Sequence, residues 1–289
     1  MASVRVRTAT GLGFVLLVVL DLLLADRLRP GIVAWVTGAI LAALAAHELG
    51  RLGRLGGARR RATFLFTAAV GAGGLLVVVL EGTTPWGAVG WTLGIQAVVF
   101  TIAAALGRHE MPDDAGEPAE RAPAWLCGPF GSGVLAAWSG PPLVALGLVH
   151  LVHGTTALAT LLVLSKIGDV AGYFVGKAIG KSHPFPRLSP GKTTAGCVAS
   201  LIAGSVAGLL AGVWGFLPGD GGALLGALAG ALLNVAAQAA DLFESRVKRA
   251  AAVKDSGRMA GASGGVLDVV DSLLFTIPVG LVLFATLAT

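Results

Sequence analysis

The chain has 289 residues, 55% hydrophobic and 13% charged, with a formal net charge of +5 and a mean hydropathy of +0.82. A soluble domain carries about 25% charged residues, so there is too little polar surface here to cover a water-soluble core. The cysteines Cys127 and Cys197 form neither a disulfide framework nor a metal-ligand spacing. The basic excess lies beside apolar runs, which suits lipid headgroups or a small anion and argues against nucleic acid.

Apolar stretches long enough to cross a bilayer as helices, about 20 residues each, follow one another along the chain. They lie at about 9–25, 31–48, 62–80, 86–107, 130–152, 155–176, 197–217, 221–241 and 266–288. The fold class expected is therefore all-α, a polytopic integral membrane protein of about nine transmembrane helices. The first stretch follows Arg5 and Arg7 as a signal peptide would, but no small-x-small cleavage site comes after it. It reads as a retained span that contains Asp21. Short Gly- or Pro-containing segments near 82–85, 153–155 and 218–220 read as tight turns. The 43 glycines suit close helix–helix approach within a membrane. Residues 1–125 form an N-terminal unit of four spans, and 126–289 form a C-terminal unit of five.

Charge placement orients the spans. The N-terminus and the loops after even-numbered spans hold 18 of the 21 Lys and Arg residues, and the opposite loops hold only Arg27 and Arg29. The positive-inside rule then puts the even loops in the cytoplasm. The loop from Arg51 to Arg61 reads as an anchor against anionic lipid. The loop from Arg108 to Arg121, with Asp113, Asp114, Glu117 and Glu120, reads as a solvated linker.

Chemistry concentrates in the last two even loops. Asp241, Ser245 and Lys248 are spaced i, i+4 and i+7, so a continuing helix lines a carboxylate, a hydroxyl and an ammonium on one face. Such a stripe suits a cation and a phosphate together. Lys254, Asp255 and Gly257 follow, and then Gly264 and Gly265, whose small size lets backbone N–H groups approach phosphate oxygens. Asp268 and Asp271, at i and i+3, open the last span, where an unpaired charge is costly. Mg²⁺ takes a few carboxylates plus substrate phosphate oxygens, and Asp241 with Asp268 is the preferred ligand pair. In the preceding even loop, Asp169 and Tyr173 share a helix face, and Ser189, Lys192 and Thr193 sit in a polar turn before the seventh span. Bland readings exist for single residues: Asp241 as a partner of Arg249, and Asp169 as a partner of Lys166. The five scattered histidines read as neither ligands nor bases.

Taken together these residues resemble the phosphatidate cytidylyltransferases, the CDP-diacylglycerol synthases. That family's signature is matched at Asp241 to Glu244, Ser245, Lys248, Arg249, Lys254, Asp255, Gly257, Gly264, Gly265, Asp268 and Asp271. A second stretch is matched at Asp169, Tyr173, Phe174, Gly176, Ser189, Pro190, Lys192, Thr193 and Gly196. The resemblance is specific over about residues 165–275. The chain departs from the pattern at Ser263 (family His), Val269 (family Arg), Ala195 (family Glu), Gly191 (family Lys) and Gly261-Ala262 (family Pro-Gly).

The resemblance implies Mg²⁺-dependent transfer of CMP from CTP to phosphatidic acid, giving CDP-diacylglycerol and pyrophosphate. Asp241 and Asp268 would hold the metal. Lys248, Arg249, Lys254 and Lys192 would neutralise phosphates, with Ser245 and Asp271 in support. It also implies a bacterial-type inner membrane with the site facing the cytoplasm. A second cation and a homodimer are secondary expectations. Three rivals are a cytidylyltransferase for another lipid phosphate, a non-catalytic paralogue motivated by the departures, and a transporter with a midplane ion site.

Overall fold

The computed structural model describes residues 24, 28–52, 55, 57–107, 124–257, 259 and 264–289. The expected first span at 9–25, the acidic linker at 108–121, and Gly261, Ala262 and Ser263 lie outside the described residues, Leu24 apart. Described residues that form regular structure are helical. In chain order the helices are α1 Ile32–Leu49, α2 Ala58–Glu81, α3 Pro85–Leu106, the short α4 Ala124–Cys127, α5 Pro129–Ser139, α6 Pro141–Val144, α7 Leu146–Ile179, α8 Thr194–Val213, α9 Gly222–Ala250, α10 Val266–Val270 and α11 Leu273–Leu287.

Seven apolar stretches among the described residues are long enough to cross a membrane. One of them, Pro129–Ile179, runs for 51 residues, more than twice what a bilayer needs. It breaks at Gly154, whose φ of 80° and ψ of 177° are not helical. The spans expected at 130–152 and 155–176 fall on either side of that glycine, so the count of nine is approximate.

The helices are amphipathic in the sense opposite to that of a soluble protein. Helix α9 buries Gly226, Ala229, Gly230, Asn234 and Ala237 and exposes Leu224, Leu225, Leu228, Leu232 and Val235. Large apolar side chains face outward and small ones face the neighbouring helix, as expected where the surroundings are lipid. The reason is visible between α8 and α9. A Cβ on Gly208 would strike the carbonyl of Gly226, and one on Gly230 would strike the carbonyl of Gly204. On α7, a Cβ on Gly168 would strike Asn234 and Ser200. Glycines four residues apart thus let α7, α8 and α9 meet backbone to backbone. The small-residue interface ends in a polar cluster, where Asn234 Nδ2 donates to Ser200 Oγ at 2.9 Å and Gln238 Nε2 donates to Asn234 Oδ1 at 2.7 Å.

Hairpins sort the loops between two ends. At one end Thr160 Oγ1 donates to the Phe216 carbonyl, and the rings of His153 and Phe284 meet edge to face. At the other, the C-terminus of α1, the turn before α8, the C-terminal turns of α9 and the start of α10 converge. Every loop expected to be basic therefore shares an end, to the extent that it is described. The units expected at 1–125 and 126–289 interlock, α1 against α6, α7 and α10, and α3 against α5 and α11.

Candidate active site

At the basic end a cavity of about 310 Å³ opens between α7, α8, α9 and α10. Its charged lining is Lys166, Asp169, Lys192, Asp241, Asp268 and Asp271, and its polar lining includes Tyr173, Thr193, Ser200 and Gln238. Local structure explains how several of them get there. Thr193 caps α8, accepting from the Gly196 N–H at 3.1 Å, and satisfies one of the helix's orphan donors. That cap fixes Lys192 one residue earlier. Helix α9 continues to Ala250, so Asp241, Ser245 and Lys248 share a face as the spacing requires.

Lys192 Nζ lies 2.5 Å from Asp241 Oδ2. Burial pushes the Lys192 ammonium downward, but the Asp241 carboxylate outweighs it and holds the group above its ordinary 10.5. Arg249, by contrast, donates to the carbonyls of Leu188 and Val253, so it is not the partner of Asp241. Lys166 donates to the Val269 carbonyl at 2.8 Å and lies 3.7 Å from Asp271 Oδ1. The bland pairing of Asp169 with Lys166 gives way to one across helices. Val269 is the position at which the resembled signature has an arginine, and the cation that reaches its backbone comes from α7.

Asp241, Glu244 and Asp271 each offer a carboxylate oxygen within 4.8 Å of the others. Glu244 is buried, and its Oε1 has no hydrogen-bond partner among the described residues. An orphaned carboxylate oxygen beside two further carboxylates is a donor set suited to a hard divalent cation. Asp268, the other half of the ligand pair read from the sequence, is arranged differently. Its Oδ1 accepts from Lys248 at 2.6 Å, and its Oδ2 accepts from the Ser256 N–H, the Ser256 hydroxyl and the Gly265 N–H at 2.9, 2.9 and 2.6 Å. Lys248 bridges Asp268 to Glu244 Oε2, also at 2.6 Å. Four donors reach Asp268, whereas Asp241 has Lys192, Glu244 has Lys248 on one oxygen, and Asp271 has the Ser272 N–H at 2.6 Å with Lys166 beyond it.

The glycine pair is explained by the same wall. Gly264 has a φ of 91°, which favours glycine, and a Cβ there would strike Asp268 Oδ2. A Cβ on Gly265 would strike Ser256 Oγ and Glu48 Oε2. Their small size lets the loop close on Asp268 and Glu48, and the Gly265 N–H meets a carboxylate of the protein itself rather than a ligand phosphate.

Of the expected site residues, Ser245, Lys248, Arg249, Gly264 and Gly265 lie outside the cavity lining, and three more stand farther apart from it. Lys254 and Asp255 are exposed and do not line it. Helix α9 ends at Ala250, and Ala252, at φ 58°, turns the chain away. Ser189 is half-buried in the turn before α8, outside the lining.

Two residues carry roles that the sequence reading did not assign: Glu244, matched there only as part of the Asp241 to Glu244 stretch, and Glu48. Glu244 lies i+3 from Asp241, and that spacing on one helix face was the available signal. Glu48, on α1, accepts from the Ser256 hydroxyl at 3.1 Å and from the Val266 and Leu267 N–H groups at 2.9 Å each. It neutralises the start of α10 from more than 200 residues away, and no local pattern points to it.

Fold and site together define an intramembrane helix bundle with a carboxylate- and lysine-lined cavity at its basic end. The model of the cytidylyltransferase family matches residues 4–287, and the chain belongs to that family. A phosphatidate cytidylyltransferase of Pseudomonas aeruginosa is 46% identical over 147 residues, 50% of this chain and 52% of the relative. One of Helicobacter pylori is 40% identical over 138 residues, 48% of this chain and 50% of the relative. The uncharacterized protein YnbB of Escherichia coli is 36% identical over 144 residues, 50% of this chain and 46% of the relative. The chain spans about half the length of the curated relatives it matches.

Proposed function

We propose that this protein is a phosphatidate cytidylyltransferase, converting CTP and phosphatidic acid to CDP-diacylglycerol and pyrophosphate. The observation that carries this reading is the convergence of Asp241, Glu244 and Asp271, the first and last of which line one cavity with Lys192 and Lys166, in a bundle whose outer surface is apolar. Family membership and the names of two relatives support it.

Asp241, Glu244 and Asp271 would hold Mg²⁺. Bound there, the ion supplies neutralisation of nucleotide phosphate charge. Asp268 is a neighbour of this set that orients Lys248 and the Gly264–Gly265 turn. Lys192 releases Asp241 and takes a phosphate oxygen when CTP enters. An oxygen of the acceptor's phosphate forms a bond to the α-phosphorus of CTP. The bond from that phosphorus to the α–β bridging oxygen breaks, and pyrophosphate leaves with the electron pair. The nucleophile is already an anion, so positioning and charge neutralisation do most of the catalysis. No general base is needed, which accommodates Ser263 in place of histidine.

Lys and Arg placement supports a cytoplasmic site in a bacterial-type inner membrane. CTP then arrives from the cytosol and phosphatidic acid from the bilayer. The test is the purified protein in nanodiscs with labelled CTP, a panel of lipid phosphates and Mg²⁺ or EDTA. Mg²⁺-dependent labelling of CDP-diacylglycerol is expected. Labelling of a different lipid would move the acceptor, and no labelling with any acceptor would overturn the reading.

A further inference from the structure

Lys166 is a charged residue in the middle of a membrane-spanning helix. A lysine in such a place is costly and ordinarily snorkels along the helix toward the headgroups. This one turns inward. Its ammonium lines the cavity, donates to the Val269 carbonyl at 2.8 Å and lies 3.7 Å from Asp271 Oδ1. An ammonium has three donors, and the carbonyl takes one.

Its surroundings differ from those of the other cavity lysine. Lys192 enters from the polar turn before α8 and pairs closely with Asp241. Lys166 sits on a stripe of α7 with Val163, Val170 and Tyr173, spaced i−3, i+4 and i+7. Those three are 58%, 53% and 57% exposed, so the stripe opens to the outside of the bundle, with Val163 and Val170 toward the hydrocarbon and Tyr173 at the rim of the cavity. The Lys166 side chain is itself 36% exposed between them, while Asp271 is 12% exposed. The cavity thus has a cation on its solvent-loop side and another on its bilayer side.

We propose that Lys166 is the residue that binds the phosphate of the lipid acceptor, receiving it from the bilayer side while the nucleotide occupies the side of Lys192. A phosphomonoester headgroup whose tails lie along the Val163–Val170 stripe places its oxygens against this ammonium. A charge-assisted hydrogen bond from lysine to phosphate then replaces the loose contact with Asp271. The inference rests on the acceptor being a lipid phosphate.

The test uses the full-length chain in phosphatidylcholine nanodiscs with added phosphatidic acid, comparing wild type, Lys166→Met and Lys166→Arg. Lys166→Met is expected to raise the KM for phosphatidic acid by about tenfold or more, the worth of one charged hydrogen bond. The KM for CTP should stay within about twofold on the same reasoning, and Lys166→Arg should recover most of the lipid affinity. Unchanged KM for phosphatidic acid overturns the proposal. So does an equal rise in both KM values, or a fall in kcat alone, either of which would assign Lys166 to holding Asp271. Binding of phosphatidic acid is also measured directly by native mass spectrometry. That arm needs no turnover: if the wild type transfers no CMP, the proposed function fails, yet lost or retained lipid binding in Lys166→Met still decides the role of Lys166. If the Met variant does not fold, a wild-type KM ratio in Lys166→Arg supports the proposal and a raised KM for both substrates overturns it.

Discussion

The acidic residues at the basic end fall into two regions with opposite character. In one, the wall that Asp268 shares with the cavity lining, Asp268 and Glu48 divide the single proton of the Ser256 hydroxyl, and Asp268 takes three further donors and Glu48 two. In the other, Asp241 and Asp271 of the cavity lining and the buried Glu244 beside them crowd within 4.8 Å, and one oxygen of Glu244 has no hydrogen-bond partner among the described residues. Saturated carboxylates hold protein to protein. Crowded ones repel one another, and that repulsion is what a bound cation would relieve. The same residue type in the same few turns of helix therefore serves construction in one region and chemistry in the other.

The contrast is most easily broken at Asp271. Asp271→Asn should lower kcat by on the order of a hundredfold or more, the scale of losing one electrostatic contributor to a transition state. The thermal unfolding midpoint should hardly change, because a crowded carboxylate contributes little to folding. A large drop in that midpoint would place Asp271 in the wall instead.

Glu48→Ala should do the reverse. It strands the Val266 and Leu267 N–H groups and removes one acceptor of the Ser256 hydroxyl. Each buried donor left unmade costs about 1–3 kcal/mol. Thermal unfolding of the purified protein should register the loss, and Glu48→Gln, which keeps one acceptor, should recover part of it.

A smaller effect separates the two regions by pH. Lys192 is held above 10.5 by Asp241, so the stabilisation from the pair is fully present below that value. It is lost as pH rises through the higher folded-state pKa. The stability difference between wild type and Lys192→Met should be constant from about pH 6 to 9 and shrink only in stronger alkali. A difference that disappears near neutrality would mean that the pair is not formed.

The smallest effect is expected at Lys254, exposed beyond the turn at Ala252. Lys254→Ala should change kcat/KM by less than about threefold, as for a solvated surface charge. A loss as large as that of Asp271→Asn would mean that Lys254 reaches the cavity during turnover.

Periodicity and charge placement made much of this legible beforehand. Helix-length apolar runs predict the bundle, the turn at 153–155 falls on Gly154, and the stripe Asp241–Ser245–Lys248 follows from 3.6-residue geometry. What stayed hidden depends on contacts between distant segments. Nothing near Glu48 announces that it meets the first N–H groups of α10. The glycines at 264 and 265 look like phosphate-binding loop glycines in either role, and only the neighbours that a Cβ would strike tell the two apart. Asp268 and Asp271 are equivalent by spacing, and their roles separate only once Ser256 and Gly265 are seen to donate to Asp268. Glu244 was within reach as the i+3 partner of Asp241.

The division between wall and cavity is tested most directly by Mn²⁺ binding, read by electron paramagnetic resonance on purified wild type, Asp271→Asn and the folded fraction of Asp268→Asn. Asp271→Asn should remove detectable Mn²⁺ binding, and Asp268→Asn, which reaches the site only through Lys248 and Glu244, should weaken it by no more than about 10–100-fold. Loss of Mn²⁺ binding in Asp268→Asn with retention in Asp271→Asn would contradict the assignment and return the metal to the pair Asp241 and Asp268.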